Sequence, residues 1–179
     1  MSPPALRFTP EEAAAAAEAW GFNCGPAALS ALLGKTPDEL RPHLLDFEAK
    51  RFMNPTMVLA VLRGMGVPVE RAYQCSEPPA GAVRYPEHGL VRLQWGGPWC
   101  GGGVPFAARY RHTHWIAVAG ADEQRKAYDV NVGRWISWAT WLVKVAPVLA
   151  RRCSKRASGL WWPTHCYQMQ VPACDEEAR

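Results

Sequence analysis

Long apolar runs are missing from this sequence. No hydrophobic stretch approaches the roughly 20 residues that a helix needs to span a bilayer. The opening decapeptide, MSPPALRFTP, contains no apolar core of signal-peptide length. A cytoplasmic protein without a membrane segment is therefore expected. Paired cysteines are missing as well. The six lie at 24, 75, 100, 153, 166 and 174, and none stands in the two-residue spacing of a zinc knuckle. A chain of 179 residues can bury a substantial core without disulfide staples. These thiols are expected to be reduced, with no metal and no other cofactor. Strong charge asymmetry is absent too: 20 Lys+Arg face 16 Asp+Glu, a formal net charge of +4. The one basic run, Arg151, Arg152, Lys155 and Arg156, has no aromatic residues interleaved with it. That argues against a nucleic-acid partner. Residues 96–105 (GGPWCGGGVP) are rich in glycine but lack the lysine and following helix of a phosphate-binding loop. No repeat and no linker divides the chain, so a single domain over 1–179 is expected.

What the sequence does hold is 49% hydrophobic residues and nine tryptophans. Its organising stretch is residues 20–33, WGFNCGPAALSALL. A turn delivers Cys24 to the first turn of an apolar helix. Pro26 is tolerated there because its missing N–H would find no intrahelical partner. Ala27, Ala28, Leu29, Ala31, Leu32 and Leu33 favour the helix, and Gly34 stops it. A thiol in that place faces the positive end of the macrodipole and unpaired N–H groups, and both favour thiolate.

The remaining elements follow from caps and periodicity. Thr9-Pro10-Glu11-Glu12 opens a helix that runs to Gly21, and Thr36-Pro37-Asp38-Glu39 opens another to about Lys50, interrupted early by Pro42. Asn54-Pro55 begins a fourth, with Met57, Val58, Val61 and Leu62 on one face. From Val67 the pattern changes. Residues 67–73, 89–95, 114–121, 126–132 and 160–171 read as strands, and 96–105 as a mobile loop. Ser137 caps a helix carrying Trp138, Trp141, Leu142 and Val145 on one face, and 172–179 form a polar tail. Helices first and an antiparallel sheet after them make an α+β arrangement.

Cysteine catalysis needs a base for the thiol proton and a polar group to orient that base. His114 opens an apolar strand, and Asp129 lies in the strand after it. A hairpin between the two would set imidazole beside carboxylate. The blocks NCGPAAL around Cys24, HWIAV from His114 and YDVNVGRWIS around Asp129 together resemble the signature blocks of papain-like cysteine peptidases. The nearest type is the bacteriocin-processing peptidase domain of ABC exporters and its free-standing relatives. The likeness is strongest over residues 15–145. It implies a papain-like fold and a peptide or protein substrate. It also implies Cys24 as nucleophile, His114 as general base and acid, and Asp129 as the orienting group.

One position departs from that family. The glutamine that usually stands six residues before the cysteine, and donates to the oxyanion, is Glu18 here. A carboxylate is a poor replacement, because it repels developing negative charge. The N–H of Cys24 remains, and Asn23 and Gln94 are candidate amide donors. Two functions are therefore carried forward. One is amide hydrolysis or related thiol acyl transfer through Cys24, His114 and Asp129. The other is a catalytically inactive papain-like module that binds a peptide or partner protein. Same-face His112 and His114 offer a zinc pair, but Cys100, His165 and Cys166 are too distant in sequence to complete it by spacing. His112 reads as a cleft-edge residue. Trp95, Trp99 and Phe106 form a candidate wall over the thiol, and Arg109 and Arg111 are candidate contacts for an acidic substrate group.

Overall fold

A computed structural model describes residues 2–109 and 111–170. The expected polar tail at 172–179, Cys174 and the last expected strand residue, 171, lie outside the described residues. The helical front begins where its caps are written. Thr9 Oγ1 accepts the Glu12 N–H at 3.2 Å while the Glu12 carboxylate accepts the Thr9 N–H at 2.7 Å, opening α1 (Pro10–Trp20). Asn23 caps α2 (Cys24–Leu33), its side-chain oxygen accepting the Gly25 N–H at 3.3 Å. Residues Gly25 to Leu32 are all buried, so α2 is the axis of the helical half.

A continuous third helix does not form. Thr36 and Glu39 build a second capping box at α3 (Pro37–Leu40), but Pro42 has no N–H for the helical ladder. The chain tightens into a 3₁₀ turn at Arg41–His43, Leu45 takes a φ of 52°, and α4 (Phe47–Lys50) is a separate turn. Asn54 then caps α5 (Pro55–Gly64) through the Met57 N–H at 2.9 Å.

Strands β1 (Val69–Gln74), β2 (His88–Trp95), β3 (Thr113–Ala119), β4 (Lys126–Asp129), β5 (Arg134–Ser137) and β6 (Trp161–Met169) form one antiparallel sheet. Their spatial order is β1-β6-β2-β3-β4-β5. The α+β class is thereby established. The strand expected over 126–132 is shorter, and β5 was not foreseen. The Asp129 carbonyl accepts the N–H groups of Val132 and Gly133, both at 2.9 Å, and Gly133 adopts a φ of 72°. That tight turn sends RWIS back along β4. The glycine-rich loop after β2 contains a 3₁₀ turn at Pro98–Cys100 and is fastened by Trp99. The Trp99 indole donates to the Trp95 carbonyl at 2.7 Å, and its ring stacks on His112 at 3.8 Å.

Further helical pieces follow as α6 (Phe106–Arg109), α7 (Trp138–Thr140), a π-helical turn at Trp141–Val145, and α8 (Ala146–Arg152). Side chains alternate across the sheet. Leu90, Trp115, Ala117, Tyr128 and Tyr167 pack with the front helices, whereas Val91, Leu93, Ile116, Val118 and Cys166 pack with Trp141, Ala146 and Ala150. The sheet is thus covered on both faces. Among the described residues no helix is long and apolar enough to cross a membrane.

Candidate active site

Strand β3 outruns its neighbour. It pairs with β4 only over Ala117–Ala119, so its first residues have β2 on one side and no strand on the other. The Trp95 N–H donates to the His112 carbonyl at 2.9 Å, which fixes the alternation of the β2–β3 ladder. Leu93 and His114 form a bonded pair, Arg92 and Trp115 a non-bonded one, and the Trp115 N–H is directed away from β2. The head of α2 packs at that open edge, and the sulfur of Cys24 accepts the Trp115 N–H.

The other two expected residues converge on the same place. His114 Nε2 stands 2.9 Å from Asp129 Oδ2; the ring is 7% exposed and the carboxylate fully buried. The pairing of Ala117 with Tyr128 sets Asp129 across from Ile116. His114 therefore meets Asp129 one diagonal step along the same face rather than directly opposite. With Nε2 held by the carboxylate, Nδ1 is the nitrogen left for Cys24.

Asp129 is fully engaged. Its Oδ2 also accepts the Trp141 indole N–H at 3.0 Å, and its Oδ1 accepts the backbone and side-chain N–H groups of Asn131, both at 2.9 Å. Trp141 heads the π-helical turn, and Asn131 sits in the turn after β4. Trp95 stacks on the imidazole with ring centroids 5.7 Å apart. Sequence reasoning missed these supports. The Asp-x-Asn spacing is a local turn signal that makes Asn131 findable, whereas the Trp141 contact needs two distant segments to pack.

These neighbours set the charges. Burial pushes the Cys24 thiol up, but the positive imidazole, its hydrogen bond and the Trp115 N–H together bring it below the ordinary thiol range. For His114 burial favours the neutral ring, yet the charges of Cys24 and Asp129 and their hydrogen bonds raise it to about 10. Asp129 is likewise raised by burial, but the His114 charge and the donors from His114, Trp141 and Asn131 lower it to about 2. All three directions favour the charged forms: thiolate at Cys24, imidazolium at His114 and carboxylate at Asp129.

The three oxyanion candidates fare differently. Glu18 sits on the exposed face of α1, lines no cavity at Cys24, and makes no hydrogen bond or ion pair among the described residues. Gln94 is buried on the sheet face opposite Trp95. Its amide donates to the Trp95 and His112 carbonyls at 3.0 and 3.1 Å, which commits both hydrogens. Neither is placed to face a reacting carbonyl. Asn23 does adjoin Cys24, but its amide nitrogen holds the Arg51 carbonyl at 3.1 Å and its oxygen caps α2. The Cys24 N–H, first in α2 and without an intrahelical acceptor, remains. Among the described residues no three His, Cys, Asp or Glu side chains cluster for a metal, and His112 stacks under Trp99 instead.

The pair opens on both sides. A cavity of about 570 Å³ includes Asn23, Cys24, Met53 and Trp115 in its wall, and another of about 620 Å³ includes Trp95, His114, Val145 and Leu149. Of the expected wall over the thiol, Trp95 stacks on His114 and lines the cavity that does not include Cys24, Trp99 is turned to His112, and the side chain of Phe106 lies outside the described residues. Comparison with protein-family models, curated proteins and solved structures finds no match to this chain.

Proposed function

We propose that this chain is a papain-like cysteine hydrolase acting on an amide of a peptide or protein. The observation that carries the reading is the row of Cys24, His114 and Asp129, with Nε2 2.9 Å from a fully buried carboxylate. The Cys24 thiolate attacks the carbonyl carbon and forms a C–S bond. The developing oxyanion meets the Cys24 N–H and the positive end of α2. The C–N bond then breaks, and the leaving amine takes the proton from His114 Nδ1. Water attacks the resulting thioester while the same nitrogen accepts its proton, and the acid is released as the thiolate re-forms. Transfer to an amine in place of water uses the same steps. Asp129 keeps Nε2–H oriented and stabilises the imidazolium. A reducing, cytoplasmic setting keeps the nucleophile in its working oxidation state, and the five described cysteines are all free thiols.

The second reading is an inactive module of the same architecture that binds a peptide or partner protein. It is favoured by Glu18, which takes the sequence position of the glutamine amide and faces solvent rather than Cys24. Iodoacetamide labelling across pH separates the two. In a hydrolase, Cys24 alkylates at pH 6, well below the ordinary thiol pKa of about 8.5. His114→Ala abolishes that advantage. Labelling of all accessible cysteines with one common pH profile selects the binding module.

A further inference from the structure

The cavity on the Cys24 side carries three cations. Arg51, Arg92 and Arg111 line it with Cys24, and among the described residues no Asp or Glu contributes to its wall. Arg51 and Arg111 are exposed and form no ion pair among the described residues. Arg92 is 5% exposed, with its guanidinium donating to Thr113 and Thr164 at 3.3 and 3.5 Å.

The backbone of Arg51 is fixed beside the cavity. It caps α4 with a φ of 58°, a left-handed conformation that is unfavourable for a residue with a Cβ. Its carbonyl takes the Asn23 amide, the same residue that caps α2 before Cys24. Gly21, itself left-handed at φ 86°, leaves open the space in which the Arg51 guanidinium lies, since a Cβ at 21 would collide with it. Strain that the surroundings enforce is concentrated where a side chain must be aimed.

We propose that this cavity is a substrate subsite for a carboxylate carried within a residue or two of the scissile amide. The proposal rests on the hydrolase reading. Guanidinium groups match carboxylates in planar, paired hydrogen bonds, and a cavity of about 570 Å³ suits one acidic residue with its flanking backbone. Substrate anion in this place also anchors the chain beside the thiolate without touching the reacting carbonyl.

Two measurements test it. The first is the ratio of iodoacetate to iodoacetamide alkylation rates at Cys24, referred to the same ratio for glutathione. The expected ratio exceeds the reference about tenfold, the size of a charge-assisted contact. It falls severalfold in Arg51→Asn, which tolerates positive φ, and in Arg111→Gln. A ratio at or below that of glutathione overturns the subsite. Early iodoacetamide labelling without iodoacetate preference would leave the hydrolase standing and remove the subsite alone.

The second is calorimetric binding to the Cys24→Ser protein of acetyl-Glu-Gly-amide, acetyl-Gln-Gly-amide and acetyl-Gln-Gly with a free terminal carboxylate. Tighter binding of the first assigns the anion to a side chain, and tighter binding of the third assigns it to a chain terminus. Equal affinities, or no binding, overturn the subsite. Carboxylate-dependent binding without low-pH alkylation of Cys24 in the unmodified protein keeps the subsite and removes the hydrolase.

Discussion

Asp129 accepts from His114, Trp141 and both N–H groups of Asn131, so none of its lone-pair directions is left to water. A buried carboxylate with fewer donors would rise toward neutrality and release its hold on the imidazole. Trp141 is thus a positioning residue, acting on the thiolate through Asp129 and His114. Trp141→Phe keeps the ring and removes one N–H. Its expected effects are a cost of about 1–3 kcal/mol for the lost hydrogen bond and an alkaline shift in the Cys24 alkylation profile. A purely structural ring would lower stability and leave that profile in place, so denaturant melts and pH-dependent labelling together decide.

At the scale of elements, the head of α2 depends on a close crossing. Gly25 lies where a Cβ would stand 2.7 Å from the Met53 Cβ, and the Met53 carbonyl accepts the Trp115 indole N–H at 2.8 Å. Gly25→Ala therefore pushes back the segment that ties α2 to β3. A destabilisation of about 1–3 kcal/mol is expected, together with slower alkylation of Cys24 at pH 6, checked by melting and labelling on the same protein. The elements also mark how far the sequence can be read. The Thr9, Thr36, Asn54 and Ser137 starts are local chemistry, in which a side chain meets an N–H three residues on, and all four are capped as their residues imply. β5 was not legible, because Arg134–Ser137 is too short to show a period and becomes a strand only through the turn that Asp129 and Gly133 make. The π-helical turn was likewise hidden, since helical spacing alone gives Trp138 and Trp141 one shared face.

For the whole molecule, the site joins elements that the sequence keeps far apart. Cys24, His114 and Asp129 were legible as chemical types in order. What brings them together was not, since it needs β3 to extend past β4 and α2 to dock in the gap. The oxyanion candidates show the same limit: Glu18, near the cysteine in sequence, faces solvent, and Gln94 spends both amide hydrogens on the Trp95 and His112 carbonyls. The charges of this joint site couple to folding. Asp129 is lowered from 3.8 to about 2, so its contribution is complete above pH 3.8 and is lost as pH falls through about 2. His114 is raised from 6.5 to about 10, so its contribution is complete below pH 6.5 and is lost as pH rises through about 10. Cys24, lowered from 9.0, offsets His114 until the unfolded thiol ionises, so urea midpoints are expected to decline below pH 3.8 and above about pH 9. In Asp129→Asn the alkaline decline should begin at lower pH, since His114 loses its anionic neighbour.

The Trp115 amide lies at the lip of β3, where no strand pairs with it. Because the Trp115 N–H points away from β2 and toward the sulfur, a change in the chemical state of residue 24 alters the magnetic environment of that backbone proton. Acylation, oxidation or protonation of the sulfur changes what that proton sees, while the equivalent protons of Ala117 and Ala119, paired to β4, stay as they are. A single amide resonance can therefore follow modification of Cys24 in the intact protein, with no leaving group.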